Sequence, residues 1–205
     1  MLSAKEIIEA LVAPDSSDSK MSIVPKPEFE TIRSRGATSV DLRLGRWFRS
    51  FKQSQNPSVA LSKLGAIQDN SDYPTIQTRE HFVPFGGKFV LHPGRFVLGA
   101  TLEWLRLPRT LSGYVTGKSS LGRHGLIIET AAGIHPSFSG CLTLELANVG
   151  EVPLEISPGM QICQLFLHRV QVTPSASKGG FSGQRKPTIK KPSYDPIFDK
   201  VCDGE

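Results

Sequence analysis

Residues 117–125 read Gly-Lys-Ser-Ser-Leu-Gly-Arg-His-Gly and concentrate three glycines, two hydroxyls and two strong cations in one short segment. Glycine lets backbone N–H groups come close to an anion, Ser119 and Ser120 can donate hydrogen bonds, and Lys118 and Arg123 supply charge. The GxxxxGK[ST] order of a Walker A loop is absent, so the segment is either a phosphate-binding turn of another kind or an ordinary turn. A second candidate is Glu145. In CLTLELA, residues 141–147, Leu142, Leu144 and Leu146 share one face of a predicted strand, which puts Thr143 and Glu145 together on the other. A carboxylate in mid-strand usually faces solvent, and it becomes a general-base candidate only where that face lines a pocket. His135 follows Gly133-Ile134 and precedes Pro136 in a predicted loop, while His81, His92, His124 and His168 are scattered. No HxE motif with a following PCxxC is present, Cys141, Cys163 and Cys202 form no CxxC pair, and no compact acidic cluster occurs. Neither zinc nor any other protein-held metal is expected.

Charge points the same way as the glycine-serine segment. The net charge is +5, and the cations are grouped: residues 31–52, 88–123 and 169–191 each carry six bases, against one, one and no acids. If these segments converge they form a pocket for a polyanion, either a nucleotide triphosphate or a nucleic acid backbone; if not, they are solvated faces. With 39% hydrophobic and 21% charged residues and three cysteines in 205, the composition is that of an ordinary globular protein and excludes a disulfide scaffold and wholesale disorder. The apolar runs are only a few residues long and the first residues, MLSAKEIIEAL, carry acids, so neither a membrane span nor a signal peptide is expected and the chain reads as cytoplasmic.

These residues need elements to hold them. Ser3 followed by Glu6, with Ile7, Ile8 and Leu11 on one face, predicts a short helix over 3–11. Val40, Leu42 and Leu44 alternate with Ser39, Asp41 and Arg43, predicting a half-buried strand that ends at Gly45. Further short strands are predicted around 46–51, 81–85, 88–91, 95–103, 111–116, 126–130, 141–147, 152–156 and 161–168, separated by turn sequences such as PFGG, HPG, HPSFSG and SPGM. Many short strands without long helical periods predict an all-β barrel or sandwich. Residues 52–78 read as an inserted loop, and 174–193 as either a disordered basic tail or a flap over a ligand.

Residues 117–167 resemble the core of the dCTP deaminase family, within the trimeric dUTPase superfamily. SIVPKPEFETIRSRGATSVDLRLGRWFRSF, residues 22–51, resembles the family's N-terminal segment, LHPGRFVLGATLEWLRLP its central strands, and GGFSGQRKPT its closing C-terminal arm. The family's arginine-serine-serine loop is matched by Lys118-Ser119-Ser120, which keeps the charge and loses the bidentate fork. The resemblance implies catalysis by Glu145 with Ser119 and Arg123. It implies substrate contacts from Lys118, Ser119, Ser120, Leu121, Gly122, Arg123, His135, Thr143, Leu144 and Gln184. Three departures stand out. His135 occupies the position of a family aspartate, ETAAGI is one residue shorter than in purely deaminating relatives and closer to the T-A-G form of dUTPases and bifunctional enzymes, and Gly180 replaces the lysine before the arm's aromatic.

The resemblance implies an all-β, distorted barrel of the dUTPase type with a short N-terminal helix, covering 1–173, and a flexible C-terminal arm, 174–205, closing over the active site. It further implies a homotrimer with shared active sites, dCTP or dUTP as ligand rather than nucleic acid or membrane, and magnesium carried in by the triphosphate, without zinc. The expected reaction is hydrolytic deamination of dCTP to dUTP and ammonia. A bifunctional enzyme releasing dUMP and pyrophosphate is the alternative favoured by ETAAGI, and a non-catalytic nucleotide sensor the one favoured by His135 and the altered arm. Because a histidine beside a triphosphate tends toward a cationic contact, His135 argues for a product with its triphosphate intact.

Overall fold

Ser3 starts the first helix as its spacing from Glu6 predicts. The Ser3 hydroxyl accepts from the Glu6 N–H at 3.4 Å while the Glu6 carboxylate accepts from the Ser3 N–H at 2.9 Å, which satisfies two end donors of α1 (Ala4–Val12). The Ser3 N–H and hydroxyl both donate to the Glu6 carboxylate and, with Arg169 reaching in from the end of the last strand, hold that carboxyl down to about 2. Ile7, Ala10 and Leu11 are the face that α1 buries. The computed structural model describes residues 1–34, 36–53, 58–61, 76–129, 133–171, 183–189 and 195–203.

The chain then alternates short strands and turns. In order these are β1 (Ser22–Val24), α2 (Phe29–Ser34), β2 (Ser39–Phe51), β3 (Thr78–Phe82), β4 (Phe89–Leu91), β5 (Phe96–Thr101), β6 (Trp104–Arg106) and β7 (Leu111–Gly117). After the four-residue helix α3 (Ser119–Gly122) come β8 (Leu126–Glu129), β9 (Gly133–Ile134), β10 (Ser139–Gly140), β11 (Thr143–Asn148), β12 (Leu154–Ile156), β13 (Gln161–Arg169) and α4 (Pro196–Asp203). The principal sheet runs β8-β11-β5-β2-β13-β7-β9 with β3 beside β2, and β1-β6-β10 and β4-β12 form two small sheets. All pairings are antiparallel, and the sheet curls as a half-barrel around Leu42, Phe48, Leu144, Leu146, Leu165 and Leu167, none more than marginally exposed. The all-β expectation holds.

The strand expected to stop at Gly45 runs through it. A Cβ at residue 45 would stand 2.8 Å from the Ala100 carbonyl oxygen, so glycine lets β2 press against β5 where the register shifts between Leu44 and Phe48. Glycine there marks a bulge, and the two predicted strands are one. The strand expected at 81–85 lies at 78–82, and α2, β1, β6, β9 and β10 are too short to show a period of their own. The inserted-loop reading of 52–78 falls mostly on residues outside those described. So does most of the tail, although residues 183–189 are described and packed, and α4 follows. Among the described residues no helix is long and apolar enough to cross a membrane.

Asn148 locks the far end of β11. It is wholly buried; its amide donates to the carbonyls of Leu91 and Val152, both at 2.8 Å, and its side-chain oxygen accepts from the Gly150 N–H at 2.9 Å. An aspartate there would turn a carboxylate toward two carbonyl oxygens with no water to screen it. Asn148→Asp should therefore destabilise the fold by about 3 kcal/mol, read as a lower urea midpoint at unchanged slope.

Candidate active site

Strand register decides what surrounds Glu145. Leu144 and Leu146 are fully buried, so Thr143 and Glu145 turn to the opposite face of β11, as the alternation predicts. Across that face Glu145 pairs with Leu98 of β5, Leu98 with Arg49 of β2, and Arg49 with Glu80 of β3. Directly opposed residues of an antiparallel pair share a face, so Glu145, Leu98, Arg49 and Glu80 form one row. Thr143 and Ala100 belong to the adjacent row, as do Trp47 and Phe82. The carboxylate of Glu145 is half-buried and makes no hydrogen bond or ion pair with a described residue.

Residues 183–189 of the arm lie on this same face. Gln184 donates through its side-chain nitrogen to the Cys141 carbonyl at 2.9 Å and the Thr143 hydroxyl at 3.3 Å, and its carbonyl accepts from the Cys141 N–H at 2.9 Å. The Thr188 hydroxyl donates to the Gln184 side-chain oxygen at 2.7 Å. Three of the residues that the resemblance assigns to the site thus meet: Thr143, Glu145 and Gln184 share one surface. Leu144, by contrast, contributes its side chain to the core.

The glycine-serine segment lies after β7 and is arranged differently from its sequence reading. Lys118 is committed: its ammonium sits 2.9 Å from Asp41 of β2 and donates to Gln161 of β13 at 3.1 Å. The pairing exists because β13 lies between β2 and β7, with Gln164 opposite both Asp41 and Thr116. The N–H groups of Leu121 and Gly122 donate to the Lys118 carbonyl at 2.9 and 3.1 Å, and that of Arg123 to Ser119 at 3.1 Å, so these amides are used inside the turn. What the turn presents outward is the hydroxyls of Ser119 and Ser120 and the guanidinium of Arg123, all exposed, the last without a hydrogen bond or ion pair among the described residues. The turn abuts the end of β11, since Val149 donates to the Gly125 carbonyl at 2.9 Å and a Cβ at residue 125 would stand 2.7 Å from the Gly150 nitrogen. No hydrogen bond among the described residues joins it to Glu145.

His135 is exposed in the turn after β9, its carbonyl accepting from the Phe138 N–H at 3.2 Å and its ring unpaired among the described residues. A cavity of about 290 Å³ opens elsewhere, between the 23–43 segment and β2, with Asp41, Glu103, Gln161 and Gln164 in its wall. None of Ser119, Arg123, His135, Thr143 or Glu145 lines it. Asp41, Trp47, Arg49, Glu80 and Glu103 escaped the sequence reading, because each acquires its partner only through pairing between distant strands. Among the described residues no group of three or more histidine, cysteine, aspartate or glutamate side chains is placed to hold a metal ion.

A curled antiparallel sheet that offers one open carboxylate, an outward hydroxyl-guanidinium turn and a docked basic arm is a dUTPase-type β fold. The dCTP deaminase-like family model matches residues 1–170, and the chain belongs to that family. A protein of Corynebacterium diphtheriae named "dCTP deaminase, dUMP-forming" is 40% identical over 165 residues, covering 75% of this chain and 81% of the relative. A protein of the same name from Parafrankia is 44% identical over 166 residues, covering 77% and 78%. The solved 2'-deoxycytidine 5'-triphosphate deaminase of Agrobacterium tumefaciens superposes on 83% of this chain with a TM-score of 0.55 at 22% identity, which shows the fold. The chain spans 47% of the length of that structure.

Glu103, in the cavity wall, is 5% exposed and accepts from the Arg43 N–H at 2.8 Å. Burial pushes its carboxyl up from the ordinary 4.5, against the smaller lowering effect of that hydrogen bond. A raised folded value means that the native state holds the proton longer than the unfolded chain does. Stability is therefore lost as pH climbs from about 4.5 through the folded value, and the loss persists above it. Glu103→Gln keeps an acceptor for Arg43 and removes the ionisation, so the variant should be the more stable at pH 7, with the gap closing below about pH 4. Thermal unfolding across pH checks this; a gap independent of pH would refute it.

Proposed function

We propose that the chain hydrolyses dCTP to dUMP, ammonia and pyrophosphate, first removing the amino group and then cleaving between the α- and β-phosphates. The observation that carries this reading is the kinship just described: relatives 40% and 44% identical over three quarters of the chain carry the dUMP-forming name. The ETAAGI segment supports it. The expectation drawn from His135, dUTP released with its triphosphate intact, yields to it as the first choice.

In the deamination step Glu145 takes a proton from water and delivers it to N3 of the cytosine as the hydroxide adds to C4; it then carries the C4 hydroxyl proton to the amine, so that ammonia leaves as the C4 carbonyl of uracil forms. Ser119 and Arg123 hold the water and stabilise charge on the tetrahedral intermediate, while Ser120 and the arm around Gln184 contact the nucleotide. Lys118, tied to Asp41, positions the turn rather than meeting phosphate. Magnesium arrives as part of the substrate, on the triphosphate oxygens, and no zinc is used. The site is completed in a homotrimer. In support, the turn bearing Ser119 and Arg123 presents its groups to solvent without contacting Glu145 of the same chain, as sharing between subunits requires.

A specific residue favours a second reading. His135 replaces a carboxylate that is permanently ionised near neutral pH, which removes a ready base for the second hydrolysis and favours deamination alone. Chromatography of products from dCTP and magnesium separates the two: dUMP with stoichiometric pyrophosphate is expected, whereas dUTP accumulating without pyrophosphate would transfer the assignment to plain deamination. Glu145→Gln should lower turnover by at least ~100-fold while nucleotide binding persists. Near-normal turnover in that variant would refute the proton shuttle.

A further inference from the structure

The arm carries two successive cations, Arg185 and Lys186, and the chain has two tryptophans. Each cation lies over one of them. The Arg185 guanidinium is 5.2 Å from the centre of the Trp104 ring on β6, and the Lys186 ammonium is 3.8 Å from that of Trp47 on β2. The arm bends at Lys186, and the bend brings Gln184 and Thr188 together over Thr143 while the two cations rest on different rings. Lys186 also pairs with Glu80 at 3.2 Å, and Arg49, held by Glu80, donates to the Pro187 carbonyl at 3.1 Å, leaving Pro187 buried.

The backbone fits as closely as the side chains do. Gly183 donates to the Ser139 carbonyl at 2.6 Å and Cys141 to that of Gln184 at 2.9 Å. Between them Gly140 has φ 152, and a Cβ there would stand 3.1 Å from the Gln184 carbonyl oxygen. Glycine at 140 is thus what lets the arm lie against β10.

We propose that Arg185 and Lys186 are positioning residues: clasped on Trp104 and Trp47, they fix Gln184 and Thr188 over Thr143 and so set the wall of the nucleotide site beside Glu145. The clause about the nucleotide rests on the deaminase reading above; the clasp does not. Lys186, over one ring and against Glu80, and Arg185, over the other ring, are engaged within the protein, which separates this role from that of a phosphate ligand. The clasp also explains why a segment with almost no aliphatic residues packs at all.

The test uses the full chain in three forms: unaltered, with Arg185→Ala and Lys186→Ala together, and with Arg185→Lys and Lys186→Arg, which keeps both cations. Because both tryptophans sit in the clasp, their fluorescence in the nucleotide-free protein reports it directly. The alanine pair should change emission and speed amide exchange over 183–189 by about tenfold at unchanged core melting, while lowering kcat on dCTP by about tenfold. The cation-keeping pair should stay within about threefold of the unaltered protein in exchange and kcat. Unchanged emission and exchange in the alanine pair overturn the clasp, whereas a rise in KM with kcat intact overturns the positioning role and makes the two cations phosphate contacts. If emission and exchange shift as stated but the unaltered protein does not turn over dCTP, the clasp stands and the deaminase reading fails.

Discussion

A strand that buries leucines at every second position must turn the residues between them outward, and the site depends on that constraint in β11. Leu144 and Leu146, at the centre of the half-barrel, cannot be fully buried unless Thr143 and Glu145 stand on the other face. A slip of one residue would exchange the two sets. Asn148 guards against it by binding three backbone groups at the end of the strand. The energy that places the carboxylate is thus core energy, and the chemistry relies on packing that never touches substrate.

Charge is managed in two ways around that face. Some cations are spent on structure: Lys118 on Asp41, Arg49 on Glu80 and the Pro187 carbonyl, Lys186 on Glu80 and Trp47. Arg123 is left open on the surface. Among the described residues, these engaged cations come from all three basic segments of the sequence. They supply ion pairs and ring contacts to the scaffold beside that face, while the Arg123 guanidinium points outward.

Local patterns were legible and long-range partners were not. The capping box at Ser3, the alternation of β11 and the strand-and-turn rhythm of an all-β fold follow from neighbours in the sequence, and the structure repeats them. The resemblance of 117–167 located the family. Gly45 misled because its reason lies across the sheet, at the Ala100 carbonyl, and an isolated glycine looks like a stop. The tie between Lys118 and Asp41 was not legible because Asp41 becomes its partner only once β13 lies between β2 and β7. The arm read as either a basic tail or a flap, and its anchors were not legible because Trp47 and Trp104 are far from it in the chain and meet it through cation–ring contacts that no local periodicity announces.

The central claim is that the open β11 face, and not the enclosed cavity beside β2, is where nucleotide binds. Backbone hydrogen exchange on the Glu145→Gln protein, with and without dCTP and magnesium, tests it directly, since binding persists in that variant while turnover is suppressed. Slower exchange over 118–123, 143–147 and 183–189 is the result expected. Slowing confined to 23–43 and 161–164, with β11 and the arm unchanged, would place the nucleotide in the cavity and contradict the account.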